Sequence, residues 1–224
     1  MIKKWFITGT DTNIGKTTVS ILLLNKAKKM GFCTAGYKPI SSGCIKTNTG
    51  YCNNDVLLLK NHSTEKFAYN TINPFSLYHT GPPSILMKQA NQLINLTTLS
   101  HRLSIIQQKS NWIVIEGIGG FYTPICKYLT LSNWIKKENL PVILVVGIKL
   151  GCINHAILTY QLIIKEKLKF SGWFANCLSN NTEYFIEYLD TIKKFIKAPF
   201  LGTIPFLGKK YITKNTNIKI KLPY

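Results

Sequence analysis

GTDTNIGKTT, Gly9 to Thr18, is the stretch that decides the fold. It follows a short apolar strand, Lys4 to Gly9, and leads into Lys16 to Met30, where Val19, Leu22, Leu23 and Ala27 recur at helical spacing and Gly31 stands as a C-terminal cap. Strand, glycine-bounded loop and helix in that order make an anion site. Glycines let the backbone close around phosphate oxygens, and the amides of Asn13, Ile14 and Gly15 with the helix start present positive dipole ends. Lys16 is placed to reach the outer phosphates and Thr17, with Thr18 beside it, to ligate magnesium. The spacing departs from the usual G-x-x-x-x-G-K-[ST], because five residues separate Gly9 from Gly15.

Outward from this loop the chain alternates strand and helix. Thr34 to Lys38 reads as a strand stopped by Pro39, Asn54 to Lys60 and Leu99 to Gln108 as helices, and Trp112 to Glu116 (WIVIE) as a buried strand followed by Gly117, Gly119 and Gly120. Pro141 to Val146 is another such strand, with a helix from Asn154 to about Lys165. Phe170 to Asn176, Glu183 to Ile196 and Phe200 to Ile204 add strand, helix and strand, while Lys46 to Asn54 reads as loop. Near-continuous apolar strands between helices predict an α/β fold of the P-loop NTPase type, a mostly parallel sheet with helices on both faces in three layers. Ligands of such a sheet belong at the carboxyl ends of its strands.

At 224 residues with 46% apolar content, the chain suits one large domain, and nothing in composition divides it. Met1 to Phe6 runs straight into a strand without the features of a signal peptide, so a cytoplasmic location is expected. Leu140 to Ile148, the longest apolar run, falls well short of the roughly 20 residues needed to cross a bilayer. Six cysteines lie scattered without C-x-x-C spacing, which favours reduced thiols over a zinc site. The net charge of +19, from 28 basic and 9 acidic residues, raises nucleic-acid or anionic-membrane binding. The lysines are spread along the whole chain, however, and read as a solvated surface with neither partner expected.

Other strand ends supply the remaining chemistry. A hard cation prefers oxygen ligands, and Glu116, ending WIVIE, fits. Asp55 is either a second metal ligand or the cap of the helix at Asn54. Lys38, in AGYKPISSG (Ala35 to Gly43), is either a surface lysine or a cation set against phosphate or a substrate carboxylate. KLGCINHA, Lys149 to Ala156, offers a second anion nest in the amides of Gly151 to Asn154. His155 there is a local hydrogen-bonding residue and no part of the mechanism.

Taken in order, GTDTNIGKTT, AGYKPISSG, Asn54-Asp55, VIEGIGGFYTP (Val114 to Pro124), PVILVVGIKLGCINHA (Pro141 to Ala156), GWFAN (Gly172 to Asn176) and APFLGTIP (Ala198 to Pro205) resemble the dethiobiotin synthetase family over about residues 2 to 207. The resemblance implies ATP- and magnesium-dependent closure of a ureido ring on diaminopelargonic acid with carbon dioxide, by a homodimer. In that pattern Thr17, Asp55 and Glu116 match magnesium ligands and Lys16 and Lys38 match catalytic phosphate-binding lysines. Thr12 and Ser42 match substrate-side groups, with Thr12 among the catalytic set. Asn176 matches the residue that reads adenine, with Cys177, Pro205, Phe206 and Leu207 beside it and Gly117 and Gly119 near the phosphates. Leu150, Gly151, Cys152, Ile153, Asn154 and Tyr188 match residues that the partner subunit lends to the substrate. Cys177 stands where an aspartate often follows the adenine-reading asparagine. Beyond Leu207 the chain is basic (Gly208-Lys209-Lys210), without the acidic residue expected near the ribose.

The rival from another class is a partitioning-type P-loop ATPase that binds DNA or membrane. Such proteins carry an extra lysine early in the loop, and Thr10 to Ile14 contain none. A glutamine-dependent amidotransferase would need a further domain for which the chain has no room.

Overall fold

The protein is described from a computed structural model that covers residues 2–48, 50–180, 183–208 and 218–223. In chain order the elements are β1 (Lys3–Gly9), α1 (Lys16–Lys29), β2 (Thr34–Tyr37), β3 (Ile40–Ser41), β4 (Ile45–Thr47), β5 (Gly50–Cys52), α2 (Asn54–His62), α3 (Tyr69–Ile72) and β6 (Phe75–Ser76). There follow α4 (Pro83–Gln89), α5 (Leu96–Gln107), β7 (Trp112–Glu116), α6 (Leu131–Lys137), β8 (Val142–Ile148), α7 (Cys152–Lys165), β9 (Phe170–Cys177), α8 (Phe185–Phe195) and β10 (Phe200–Ile204).

Six strands form one parallel sheet in the order β10-β9-β8-β1-β7-β2. Alternate residues of each strand point to opposite faces, and both faces are apolar. Phe6, Ala35, Tyr37, Ile113 and Ile115 pack with Leu99, Leu103 and Ile106 of α5 and Trp134 of α6. On the other face Trp5, Ile7, Val114, Ile143 and Val145 pack against Val19, Leu23 and Ala27 of α1. A third cluster joins Leu144, Val146, Trp173 and Ala175 to α7 and α8. Residues 218–223 return to the second cluster: the Lys221 amide donates to Leu201 O at 2.7 Å, Lys26 Nζ donates to Ile220 O, and Ile220 and Leu222 are buried.

β1 lies between β7 and β8, so the chain fills one side of it through β2 and β7 and then the other through β8. That reversal makes a crevice at the carboxyl end of β1, where the glycine loop sits.

The structure corrects the reading of Lys46 to Asn54 as plain loop. Ile45 to Cys52 contain an antiparallel pair, with Ile45 opposite Cys52 and Lys46 opposite Tyr51. Its strands are three residues each and mostly exposed, too short for an alternation to show. α5 begins earlier than Leu99, at Leu96, because the Asn95 side chain accepts the Thr97 amide and caps it. α7 likewise begins at Cys152, two residues before Asn154.

Candidate active site

Lys16 and Thr17 open α1 after β1, Lys38 follows β2, and Glu116 ends β7, three adjacent strands of the sheet. Thr17 Oγ1 donates to Glu116 Oε1 at 2.8 Å, and Lys38 Nζ donates to the same oxygen at 2.7 Å and to Asp55 Oδ2 at 2.5 Å. Glu116 is 1% exposed and Lys38 6%. One side of each alternative left open by the sequence is thereby removed. Lys38 is no surface lysine, and the cap of α2 is Asn53, whose Oδ1 accepts the Asp55 amide at 3.0 Å and leaves the Asp55 carboxylate to Lys38.

The two buried lysines differ in charge. Burial works against the Lys38 ammonium, yet Glu116 and Asp55 outweigh it and hold its pKa above the ordinary lysine value. For Lys16 desolvation prevails and lowers the pKa from 10.5 to about 8, with Glu116 opposing and Lys38 reinforcing the shift. Its ammonium donates to Asp11 O at 2.7 Å.

The loop's shape comes from within the core. Asn13 (φ 58) and Gly15 (φ 93) take left-handed backbone, and Ile14 between them is buried at 1% exposure. Gly9 and Gly147 leave it room: a Cβ on either would stand 2.6 Å from an Ile14 side-chain carbon. Asn176, at the end of β9, closes the loop from above, its Nδ2 donating to Ile14 O at 2.8 Å. A Cβ on Gly15 would lie 2.2 Å from that nitrogen.

A metal here would meet hard oxygen donors. Among the described residues no group of three His, Cys, Asp or Glu side chains is gathered. The set is two carboxylates and a hydroxyl, and Glu116 Oε2 is buried without a hydrogen-bond partner among the described residues. Few protein ligands and one spare carboxylate oxygen suit magnesium, which takes its remaining ligands from phosphate and water.

Thr12 is exposed, its amide donating to Asp11 Oδ1 at 2.7 Å, and Thr18 lies in the first turn of α1. Gly117 donates its amide to Ile7 O at 3.0 Å, and Gly119 follows with φ 63. Ser42 is half-buried and its carbonyl accepts from Asn53 Nδ2 at 3.1 Å. Cys177 is half-buried beside Asn176, its thiol pKa raised by burial. Pro205 and Phe206 are exposed after β10, and Leu207 packs on the second cluster. Lys209 and Lys210 lie outside the described residues.

The turn after β8 is another matter. Leu150 is 90% exposed, Gly151 and Asn154 are exposed and Ile153 is half-buried. Cys152 is buried in the third cluster with its amide donating to Lys149 O at 3.0 Å, so its thiol faces core and not ligand. Tyr188 packs on the same cluster from α8. Lys149 Nζ holds Asp11 Oδ2 at 2.7 Å and ties this turn to the glycine loop. Asp11 and Lys149 carry no role in the sequence reading, nor do Asn53, Tyr69 and Asn73, which hold the backbone around Lys38. The contacts of Asn53 with Tyr69, Asn73 with Lys38 and Lys149 with Asp11 join residues 16, 35 and 138 apart, so no local pattern reports them.

A family model described as an AAA domain matches residues 3–210. The chain is 48% identical over 223 residues, the full length of both chains, to the ATP-dependent dethiobiotin synthetase BioD of Buchnera aphidicola subsp. Acyrthosiphon pisum (strain 5A). It is 43% identical over 209 residues, 93% of each chain, to the ATP-dependent dethiobiotin synthetase BioD 1 of Escherichia coli. The chain belongs to the dethiobiotin synthetase family. Solved structures similar to it include the MinC:MinD cell division protein complex of Aquifex aeolicus, with TM-score 0.58 and 14% identity over 92% of this chain and 82% of that one. A ParA family ATPase from Chlorobium tepidum TLS gives TM-score 0.55 at 15% identity over 92% and 85%. At that identity they share the fold alone. The choice between ligase and partitioning ATPase rests on the dethiobiotin synthetase relatives, and it falls to the ligase.

Proposed function

We propose that the whole chain acts as one ligase domain that uses ATP to close the ureido ring of dethiobiotin on 7,8-diaminopelargonic acid with carbon dioxide, releasing ADP and phosphate. One observation carries the reading within this family. The Lys38 ammonium is shared by Glu116 and Asp55 while Thr17 reaches the same Glu116 oxygen, so phosphate loop and strand-end lysine form a single constellation.

One amine takes up carbon dioxide as a carbamate. A carbamate oxygen attacks the terminal phosphorus of ATP, and the bond to the bridging oxygen breaks as ADP leaves. The second amine then attacks the carbamoyl carbon, closes the ring and expels phosphate. Lys16 and the amides from Asn13 to Thr18 hold the phosphates, and Lys38 faces the charge that grows on the transferred group. Thr12 and Ser42 orient the diamine, and Asn176 reads adenine with the backbone of Pro205 to Leu207. Thr17, Asp55 and Glu116 would hold magnesium, which when bound neutralises phosphate charge. The deciding measurement is phosphate release from ATP with and without the diamine and bicarbonate. Release that is equal in both sinks the assignment.

A homodimer follows on the same reading, with Leu150, Gly151, Ile153, Asn154 and Tyr188 serving the partner's substrate and Cys152 anchoring their turn. The 90% exposure of Leu150 at this turn supports an apolar contact there. Inactive Lys16→Ala mixed with Asn154→Ala should regain activity, because a mixed dimer holds one site with both native contributions. No recovery despite subunit exchange would assign each site to one chain. All six cysteines are free thiols, which supports a cytoplasmic location. No described helix is long and apolar enough to cross a membrane.

A further inference from the structure

Two carboxylates hold the Lys38 ammonium, but its main chain is held by an uncharged residue. Asn73 follows α3 and is 2% exposed. Its Nδ2 donates to the Lys38 carbonyl at 2.6 Å. Its Oδ1 accepts from the hydroxyls of Ser41 at 2.8 Å, Ser76 at 2.5 Å and Tyr69 at 3.3 Å. The Lys38 amide in turn donates to Ile72 O at 3.0 Å, so both polar groups of Lys38's backbone are committed to the α3 turn.

Tyr69 extends the same network to the other end of the ion pair. Its oxygen accepts the Asn53 amide at 2.8 Å, and Asn53 caps α2 through the Asp55 amide and donates from Nδ2 to Ser42 O at 3.1 Å. One run of hydrogen bonds therefore sets the backbone positions of Lys38, Ser42 and Asp55. A buried amide is costly unless it is satisfied. Once satisfied in such a network it fixes geometry in a way that apolar packing of the same volume does not.

We propose that Asn73 is a positioning residue for Lys38, acting with Tyr69 and Asn53 to set the ammonium against Asp55 and against the group it must meet at Ser42. This rests on the reading of Lys38 as the cation that faces the transferred phosphoryl group. Neither Asn73 nor Tyr69 touches the reacting atoms in this account; each acts through where Lys38 stands.

The test is steady-state kinetics of Asn73→Ala and Tyr69→Phe, each made in the native chain and in Lys38→Met. Tyr69→Phe keeps the ring and removes one oxygen, so it decides the matter if Asn73→Ala fails to fold. In the native chain kcat should fall roughly tenfold for Asn73→Ala and about threefold for Tyr69→Phe, as expected for a catalytic group displaced by a fraction of an ångström. The KM for ATP should stay within about twofold, because Lys16 and the glycine loop keep their own supports. In Lys38→Met each change should lower kcat by clearly less than in the native chain, since no ammonium is left to position and only the support of Ser42 and Asp55 is lost. The same additional loss in both backgrounds would make the network structural and overturn the proposal, as would native kcat in Tyr69→Phe. Native turnover in Lys38→Met alone would overturn the role of Lys38 and this proposal with it, and it is told apart because it shows without any change at Asn73 or Tyr69.

Discussion

The ends of β1 and β2 each present a buried lysine, and they are built by opposite means. At β1 the backbone is shaped mainly by apolar contact, with Ile14 sunk between Gly9 and Gly147 and one bond from Asn176, and Lys16 donates to the Asp11 carbonyl and to no carboxylate among the described residues. At β2 the backbone is shaped by side-chain hydrogen bonds through Asn73, Tyr69 and Asn53, and Lys38 finds two carboxylates. Equal burial thus gives one lysine with a depressed pKa and one with a raised pKa. Lys16 has a charge left to spend on an incoming anion, whereas Lys38 must first be shared away from Glu116 or Asp55.

The largest test of this contrast is Lys38→Ala. Loss of one preorganised donor, about 3 kcal/mol, should lower turnover by roughly two to three decades. Native turnover in the purified variant would leave the β1 end as the whole of the chemistry. Thermal stability should also fall, because removing one member of a buried pair leaves Glu116 without its cation.

Glu116→Gln removes the carboxylate that both ends share. The magnesium concentration for half-maximal ATP turnover should rise by about ten- to a hundredfold, as for loss of a metal-ligating or supporting group. An unchanged magnesium requirement would take Glu116 out of the metal site. Because Glu116 also pairs with Lys38, its replacement should lower the melting temperature too, which a ligand serving the metal alone would not do.

A smaller effect separates the lysines by pH. If Lys16 holds phosphate as proposed, it does so protonated, and with its pKa lowered to about 8 nucleotide affinity should fall roughly tenfold between pH 7 and pH 9. The sign follows from proton uptake: an anion bound beside Lys16 raises its pKa, so above pH 8 binding must take up a proton and weakens as pH rises. Lys38, with its pKa raised, adds no slope in that window. Calorimetric titration with a non-hydrolysable ATP analogue reads it, and a slope that survives in Lys16→Ala would refute the assignment.

The smallest effect belongs to Asn176. An amide matches the adenine edge with one donor and one acceptor, and each such bond contributes about 1 kcal/mol. Asn176→Ala should narrow the preference for ATP over CTP and GTP by about fivefold, the equivalent of one such bond. It should also weaken all three nucleotides, because Nδ2 supports the Ile14 carbonyl. If the variant keeps the native preference, the base is read elsewhere.

The same contrast explains what could be read in advance. The β1 end is written in consecutive residues whose spacing reports the geometry, since the glycines, the lysine and the threonine all sit on one loop and the first turn of the helix that follows it. Glu116 was legible because WIVIE marks the strand it ends. The support of Lys38 was not legible. Asn73 precedes Pro74 in an irregular segment, and its partners Lys38 and Ser41 lie 35 and 32 residues away, so only the folded chain brings them together. Asp55 shows the same limit: three polar residues in a row offer three caps, and the choice of Asn53 is made by Tyr69 and Ser42. The helix α6 was missed because its capping pair is Thr130 with Asn133, where the usual signature has Glu or Gln.

Ile14 makes the interior of the sheet answerable for the shape of the glycine loop. A methyl group added at Gly147, on the neighbouring strand β8, would push against Ile14 and through it shift the loop amides proposed to hold phosphate. In a saturation screen for growth without supplied biotin, Gly9 and Gly147 should tolerate as few substitutions as Lys16, although neither has a side chain to offer.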